Sequence, residues 1–396
     1  MRRPRLGRSS AVAAAAALLA AAAASAAAID APLDAARRAV TLPRSSEGMQ
    51  ARYEAGRSLE DAVYAKRRGC VGVVRESLVL ARGLVRWAEG YDRPRDILEG
   101  AGRRQATEAA RNVRASCLSG ERVVPVVRRL ARLPSVPPLG GAAGPGATDP
   151  ALASRLAALG RSFPGYAAVW TQDLVTGRVA GWNTDARFPA ASTVKLGVLL
   201  AVLARLRHPE RSSLDYDLRA LTGWSSNLAA NRLAGRFGVG AIQAALRRAG
   251  ATRSTYPQDY LVGTALADVA DEPPLVSGRV TTARDLGRLL WVLQAGAVGN
   301  AAALRASGLD RARSQYALRL LLASELRGNN VGLVRPFVPA STRVAQKNGW
   351  LNDARHTAAI VYAPGGSRIV VILTYAPNLS LATAQGLGRA VMSAVR

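Results

Sequence analysis

A segment rich in proline, glycine and small residues, residues 134–150, divides the 396-residue chain into two parts with different patterns. Before it, apolar residues recur at three- and four-residue spacing, which is typical of helices. After it, stretches typical of strands and of helices occur together. A chain of this length is expected to form two domains. We therefore predict a helical accessory domain over residues 29–133, a linker over 134–150 and a second domain over 151–396.

The second domain begins with two predicted strands and closes with three, and helices occupy the middle of its sequence. The predicted strands cover residues 166–170, 178–182, 342–350, 356–362 and 368–375. Predicted helices at 151–163 and 381–395 frame the whole domain. This order predicts an α/β (α+β) fold, in which a five-stranded, mostly antiparallel sheet is flanked by helices and carries a helical subdomain.

The first 28 residues have the pattern of an export signal peptide. An apolar, alanine-rich stretch over residues 11–24 follows a basic start, and small residues at 25–28 suit a signal peptidase. The basic residues are Arg2, Arg3, Arg5 and Arg8. We predict a secreted, periplasmic or cell-envelope protein. The Arg2-Arg3 pair leaves twin-arginine export open beside the general route, and an uncleaved membrane anchor is the alternative to cleavage.

Export gives meaning to the two cysteines, Cys70 and Cys117, which both lie in the predicted helical domain. Disulfides persist in oxidising compartments, and an even number of cysteines there favours pairing. We predict a disulfide between them. Two buried free thiols are the alternative.

The formal net charge of +27 predicts attraction to anionic surfaces. The basic residues are scattered, and no stretch resembles a nucleic-acid-binding module. A basic, solvated surface is the simplest interpretation. An anionic cell-wall polymer or a membrane surface is the expected macromolecular partner, nucleic acid is not, and the protein is expected to be a monomer.

Ser192 and Lys195 stand immediately before a long apolar run. Side chains three residues apart lie on one face of a helix, so the amine of Lys195 could activate the hydroxyl of Ser192. The chain contains 51 Arg but only three Lys, at positions 66, 195 and 347. Since Arg keeps its proton and a buried Lys can lose it, Lys195 is a candidate base. An ordinary surface lysine is the alternative.

Two more motifs follow in the same domain. Trp224-Ser225-Ser226-Asn227 lies between two predicted helices, and Lys347-Asn348-Gly349 lies on the first closing strand. Together with Ser192-Thr193-Val194-Lys195, they resemble the S-x-x-K, S-D-N and K-T-G motifs of the penicillin-recognising serine hydrolases, above all class A β-lactamases. The resemblance covers residues 151–396 and does not extend to 29–150.

The resemblance implies a role for each matching residue. Ser192 would be the nucleophile, and Lys195 would take its proton directly or through water. Ser225 would relay a proton to the departing nitrogen, and Asn227 would hold the substrate's amide. Lys347 would attract the substrate carboxylate and lower the pKa of Lys195.

The closing strands would supply the remaining substrate contacts. The backbone N–H groups of Ser192 and Trp350 would form the oxyanion hole, and Asn348 and Gly349 would line the same strand. Arg355 and His356 are expected to add contacts to the carboxylate, with a structural role as the alternative for His356.

The sequence also departs from the family pattern. Ser226 replaces Asp, which removes a charge that ties the loop to the neighbouring helix, and Asn348 replaces Thr or Ser. Asn348 can still donate a hydrogen bond to a carboxylate.

Glu272 is the candidate for activating the water that clears the acyl-enzyme. Residues 272–275 read E-P-x-L, as in the deacylation loop of the family, and Thr281-Thr282 resemble the threonines that end it. Val276, however, stands where an Asn would orient the water, and the loop is short. An exposed loop carboxylate is the alternative for Glu272.

The expected function is therefore that of an exported serine hydrolase of the class A β-lactamase type, acting through an acyl-Ser192 intermediate without cofactor or metal. Two alternatives remain open. One is a D,D-peptidase acting on peptidoglycan stem peptides ending in D-Ala-D-Ala. The other is a slowly acylated penicillin-binding or wall-binding module without turnover.

Overall fold

The structure, a computed structural model, describes part of the chain and nearly all of the second domain. The described residues are 78, 133–138, 141–212, 214–223, 225, 227–257, 278–324 and 328–395. The predicted signal peptide, both cysteines and all of the predicted helical domain except residues 78 and 133 lie outside this range. Residues from Leu133 onward belong to one compact unit.

The centre of this unit is a five-stranded antiparallel sheet with the order β2-β1-β7-β6-β5. Its strands are β1 (Tyr166–Asp173), β2 (Val179–Trp182), β5 (Arg343–Trp350), β6 (Ala354–Ala363) and β7 (Gly366–Tyr375). Two short strands, β3 (Phe188–Pro189) and β4 (Val280–Thr281), pair separately. The predicted five-stranded antiparallel sheet is confirmed, and β5 forms one of its edges.

The described part of the unit contains nine α-helices. They are α1 (Pro150–Ser162), α2 (Lys195–Leu203), α3 (Asp215–Gly223), α4 (Asn227–Phe237), α5 (Val239–Arg248), α6 (Ala283–Ala297), α7 (Ala301–Ser307), α8 (Arg311–Leu322) and α9 (Leu381–Ala394). Short 3₁₀ helices cover Pro209–Arg211, Gly328–Val331 and Arg335–Phe337.

The helices form a layer on each face of the sheet. On one face, α1 and α9 bury an apolar cluster that includes Leu156, Val169, Ile372 and Val391. On the other face, α6 packs against the central strands and α8 against β5. Period-2 strands alternate their side chains between the two faces, so each strand supplies both layers. The site described below lies on the α6/α8 side.

Several helices begin at a side chain that accepts a hydrogen bond from the first turn. Asp149, Thr282, Asn300, Asp310 and Ser380 all cap helices in this way. Such a cap satisfies one of the N–H groups that have no partner inside a helix. The capping residues therefore fix where α1, α6, α7, α8 and α9 start.

The structure differs from the sequence-based expectation at several places. The sequence predicts a helix over residues 192–206, whereas helix α2 starts at Lys195. Helix α7 was not predicted, because a short alanine-rich stretch carries little periodicity. Part of the predicted linker lies along β2, where Asp149 N–H donates to Val179 O at 2.7 Å and Val179 N–H donates to Ala147 O at 3.0 Å. Among the described helices, none has the length and apolar content needed to cross a bilayer.

Candidate active site

Ser192 lies in a tight turn that leads into α2. Ala191 has a φ of 47°, and the Lys195 N–H donates to Ser192 O at 3.2 Å. The next bond, from Leu196 N–H to Thr193 O at 3.1 Å, has the same three-residue span, which is 3₁₀ geometry. The turn leaves Ser192 half-buried, while Lys195 is only 2% exposed at the start of the helix.

Hydrogen bonds link the turn to Ala190, and link Ala190 in turn to Arg279. The hydroxyl of Thr193 donates to Ala190 O at 2.6 Å, and the Ala190 N–H donates to Arg279 O at 2.9 Å. These bonds connect the residues before α2 to the start of β4. The backbone around Ser192 is therefore held by contacts that do not involve its own side chain.

Ser225 brings the amines of both lysines of this domain together. Its hydroxyl accepts a hydrogen bond from Lys347 Nζ at 2.7 Å, and Lys195 Nζ lies 3.5 Å from the same oxygen. Lys195 Nζ also donates to the Ser225 carbonyl at 2.6 Å. Ser225 is buried and has a φ of 64°, a conformation that costs a residue with a side chain about 1 kcal/mol or more. The surrounding contacts hold it in this unfavourable conformation.

Strand β5 approaches the Ser192 turn very closely at Gly349. A Cβ atom at this position would lie 2.9 Å from the Ser192 nitrogen and 3.0 Å from the Thr193 nitrogen. Only glycine fits such an approach of two backbones. Gly349 therefore brings the edge of the sheet against the residues that begin α2.

The backbone N–H of Trp350, the predicted second oxyanion donor, points away from β6. The Leu351 N–H donates to Ala354 O at 2.9 Å, toward β6. Successive N–H groups of a strand point in opposite directions, so the Trp350 N–H points away from β6. It faces the side of β5 that is not paired within the five-stranded sheet.

The side chains of Asn348 and Arg355 form hydrogen bonds with other groups of the protein. Asn348 Nδ2 donates to Asn330 O at 2.6 Å, and its Oδ1 accepts from the Thr357 hydroxyl at 2.7 Å. Arg355 donates to the carbonyls of Leu351 and Ala354 in its own hairpin. Both were predicted to contact substrate, and their roles there remain predictions.

His356 is buried and fits the structural alternative. Its Nδ1 accepts from the Thr374 N–H at 3.2 Å, so Nε2 carries the proton and donates to Pro189 O at 2.8 Å. Burial lowers the pKa of His356 to about 4. The neutral ring therefore joins β6 to β3, just before the Ser192 turn.

Five residues of the sequence-based predictions are not described at the level of the side chain. Glu272, Val276 and Ser226 lie outside the described residues, and so does Trp224. Asn227 is the first residue of α4, which places its backbone two residues beyond Ser225, but its side-chain contacts are not among those described. Their predicted roles stay predictions.

The sequence analysis missed Asn330 and Thr357, which are both buried beside β5. Asn330 Nδ2 donates to Gly223 O at 3.0 Å, at the end of α3. The Thr357 hydroxyl accepts from the Leu333 N–H at 2.8 Å. A polar residue in a strand or in a glycine-flanked turn carries no sequence signal that distinguishes it from a surface residue.

The described arrangement suits covalent chemistry at Ser192. The amines of Lys195 and Lys347 converge on the Ser225 hydroxyl, and Lys195 follows Ser192 by three residues. Gly349 of β5 lies against the backbone of the Ser192 turn. An amine without its extra proton can accept a proton from a hydroxyl, and a hydroxyl between two amines can pass one on. Within the described residues, no group of three or more His, Cys, Asp and Glu side chains is placed to hold a metal ion.

Comparison with known proteins agrees with this geometry. The model of the beta-lactamase enzyme family matches residues 151–220 and 208–395, and no curated protein matches the chain. Among solved structures, PBP-A is 17% identical, with 64% of this chain and 98% of PBP-A covered and a TM-score of 0.51. A PBP-A mutant solved as an acyl-enzyme complex with penicillin G is 17% identical, with coverages of 63% and 98% and a TM-score of 0.50.

A beta-lactamase from Sphaerobacter thermophilus is also similar in structure. It is 18% identical to this chain, with 62% of this chain and 94% of that protein covered and a TM-score of 0.48. At these identities the structural likeness concerns the fold alone.

Proposed function

The chain belongs to the beta-lactamase enzyme family, and we propose that it is an exported serine hydrolase that opens the amide of β-lactams through an acyl-Ser192 intermediate. The family and the fold support a serine hydrolase of β-lactams or a protein like the penicillin-binding proteins. Hydrolysis by this particular route, and export by way of residues 1–28, are the parts that we propose.

One observation carries the proposal: the amines of Lys195 and Lys347 both lie within hydrogen-bonding distance of the Ser225 hydroxyl, at 3.5 and 2.7 Å. Like charges this close repel, so the arrangement favours a state in which one amine is neutral. A neutral amine on the first turn of α2 is a base close to Ser192 in the chain.

In the proposed acylation, Ser192 Oγ attacks the β-lactam carbonyl carbon and its proton passes to the neutral amine of Lys195. The carbonyl oxygen gains the negative charge, which the N–H groups of Ser192 and Trp350 would stabilise. Removing one such donor typically costs about 3 kcal/mol of barrier. Because Gly349 lets β5 approach the Ser192 turn, the two donors are held by adjoining segments.

Collapse of this intermediate breaks the C–N bond, and the leaving nitrogen needs a proton. Ser225 is suited to deliver it, because its oxygen accepts from the lysine amines and its own proton remains available for donation. The proton gained by Lys195 would then restore the Ser225 hydroxyl. The product is an ester of Ser192 with the ring nitrogen protonated, so atoms and charge balance.

The second half of the reaction is hydrolysis of the ester. A water must lose a proton as it attacks, and Glu272 is our candidate for accepting that proton. Substrate binding would rest on the positive charge of Lys347, which attracts the carboxylate that β-lactams carry, and on Asn227.

A second function, that of a D,D-peptidase, is favoured by one feature of the sequence. Val276 stands where the family pattern has the asparagine that orients the deacylating water, and an isopropyl group can neither donate nor accept a hydrogen bond. Slow deacylation by water would leave a long-lived adduct with penicillins.

Intact-mass measurement of the full chain mixed with penicillin G tests both functions. We expect a mass increase of one penicillin in the wild type, lost in Ser192→Ala. For a β-lactamase the adduct clears rapidly in the wild type and persists in Glu272→Gln. An adduct that persists equally in both proteins, with release of D-Ala from a model peptide, would favour the peptidase.

Correctly folded protein that forms no adduct at Ser192 would overturn the proposal. Ser162→Ala is a matched control, because Ser162 is an exposed serine at the end of α1, and it should be labelled like the wild type. Export is tested separately by determining the N-terminus of the protein recovered outside the cytoplasm.

A further inference from the structure

A chain of buried hydrogen bonds connects β5 to the end of helix α3, just before Ser225. The Thr357 hydroxyl donates to Asn348 Oδ1 at 2.7 Å, Asn348 Nδ2 donates to Asn330 O at 2.6 Å, and Asn330 Nδ2 donates to Gly223 O at 3.0 Å. All three side-chain-bearing members are at most 2% exposed. Water therefore does not compete for these bonds, and each is costly to break.

The last acceptor in this series of hydrogen bonds is a backbone carbonyl at the end of a helix. Gly223 ends α3, and the carbonyls of a final helical turn have no partner inside the helix. The amide of Asn330 supplies that partner. Because Ser225 is two residues further on, at most about 7 Å of extended backbone separates it from this fixed carbonyl.

Side chains on both faces of strand β5 therefore hold the segment that contains Ser225. Lys347 and Asn348 are neighbours on the strand, so their side chains point to opposite sides of the sheet. Lys347 donates to the Ser225 hydroxyl, while Asn348 acts through Asn330 on the carbonyl of Gly223. The same short stretch of β5 fixes both the hydroxyl and the backbone that leads to it.

The close approach that this chain needs depends on Gly332. This residue has a φ of 80°, and a Cβ there would lie 2.4 Å from Asn348 Oδ1 and 2.8 Å from the Thr357 hydroxyl oxygen. A residue with a side chain would push the segment that carries Asn330 away from β5. The segment is thus shaped to bring Asn330 between β5 and α3.

We propose that Asn330 is a positioning residue for Ser225: through Gly223 it keeps the Ser225 hydroxyl between the amines of Lys195 and Lys347. Asn330 touches no reacting atom. Its amide must donate at the side-chain nitrogen, which a carboxylate of the same shape cannot do. The unfavourable φ of Ser225, 64°, is maintained by this restraint and by the lysine bonds. The inference rests on the proposed function, because it assigns Ser225 its place in that reaction.

The test compares two pairs of variants in the full chain. Asn330→Asp removes the donor without changing the shape, and Asn300→Asp makes the same change at an exposed helix cap that aspartate serves equally well. Thr357→Val removes the hydroxyl, and Thr357→Ser keeps it. We expect the rate of adduct formation with penicillin G to fall about 10-fold or more in Asn330→Asp and Thr357→Val, because small displacements of reacting groups are costly. Asn300→Asp and Thr357→Ser should stay within about twofold of the wild type.

Lysine NMR gives a readout that needs no reaction. The chain has only three lysines, so protein labelled with ¹³C at the lysine Cε yields three signals, assigned with Lys66→Arg and Lys347→Arg. We expect the Lys347 signal to shift in Asn330→Asp and to stay in place in Asn300→Asp.

The outcomes separate the two proposals. A wild type that forms no adduct refutes the proposed function, and a shifted Lys347 signal in Asn330→Asp would still support the positioning of Ser225. Unchanged lysine signals together with rates within twofold of the wild type in Asn330→Asp and Thr357→Val would overturn the positioning role. It is equally overturned if Thr357→Ser is as slow as Thr357→Val, since a loss caused by repacking alone is not rescued by a hydroxyl.

Discussion

Ser225 and Ser254 are both buried serines in contact with ionisable side chains, which are basic at Ser225 and acidic at Ser254. The Ser225 oxygen faces the amines of Lys195 and Lys347. Ser254 donates to Asp285 Oδ2 at 2.7 Å, and its oxygen lies 2.8 Å from the Thr281 hydroxyl oxygen. One hydroxyl is surrounded by donors and the other serves an acceptor.

The charge of the neighbouring side chains determines the acceptor toward which each hydroxyl proton points. A carboxylate only accepts, so the proton of Ser254 is committed to Asp285 and Thr281 must donate to Ser254. The ammonium of Lys347 only donates, so it uses the oxygen of Ser225 and leaves the hydroxyl proton for another acceptor. The Ser225 cluster is arranged to transfer a proton, whereas the Ser254 cluster holds α6 to the segment after α5.

Replacing Lys195 by arginine is the largest perturbation that separates the two clusters. Lys195→Arg keeps a nitrogen donor at this position, but a guanidinium does not release its proton in a protein and so cannot act as the base. We expect the rate of adduct formation with penicillin G to fall by about 10³-fold, within the range that a lost general base costs. The measurement is intact mass against time.

Lys66→Arg is the matched control for this change, because it alters the one lysine that lies outside the second domain. It should react at the wild-type rate. If Lys195→Arg reacts within tenfold of the wild type, the base is another group, and the contrast between a reactive and a structural serine cluster fails.

The surroundings of the Ser192 turn should also respond to acid through His356. Burial lowers the pKa of His356 from 6.5 to about 4. Between these pH values the unfolded chain therefore binds a proton at His356 and the folded chain does not. The free energy of unfolding should therefore fall by about 3 kcal/mol as the pH drops from 6.5 to 4.

Urea denaturation at half-unit pH intervals measures this dependence. His356→Gln should be less stable at pH 7 and show a flatter profile between pH 6.5 and 4. His208→Gln, at an exposed position, should keep the wild-type slope. A wild-type slope in His356→Gln would contradict a neutral, buried His356 between β3 and β6.

The sequence was sufficient to predict the central sheet of this domain and to single out the two lysines that meet at Ser225. Strand and helix periodicity gave the five-stranded sheet, and the scarcity of lysine drew attention to Lys195 and Lys347. Both do converge on Ser225. Residue types that are rare in a chain, or that must recur at fixed spacing, leave a signal that can be read without a structure.

The remaining features depend on contacts that spacing does not encode. Helix α2 starts later than predicted because the backbone from Ala191 onward first forms 3₁₀ turns. Asn330, Asn348 and Thr357 meet only after β5, β6 and the segment before them have packed together. Asn330 and Thr357 are ordinary polar residues in the sequence, and Asn348, although part of a motif, has partners at least nine positions away.

Asp285 offers the smallest of these effects and the finest distinction between the two clusters. Burial raises its pKa above 3.8, although the bonds from Ser254 and from the Arg253 N–H offset part of this rise. Its protonated form therefore stabilises the fold below pH 3.8, and that contribution is lost as the pH rises through the raised pKa. Asp285→Asn can keep the acceptor and lacks the charge, so its stability relative to the wild type should increase between pH 4 and 7 in urea denaturation.

Asp185→Asn should show the opposite trend, because Arg284 lowers the pKa of Asp185. If the stabilities of the two variants relative to the wild type changed with pH in the same direction, the charge of Asp285 would be accommodated as well as that of the exposed Asp185. The sign of the neighbouring charge would then not distinguish a structural serine from a reactive one.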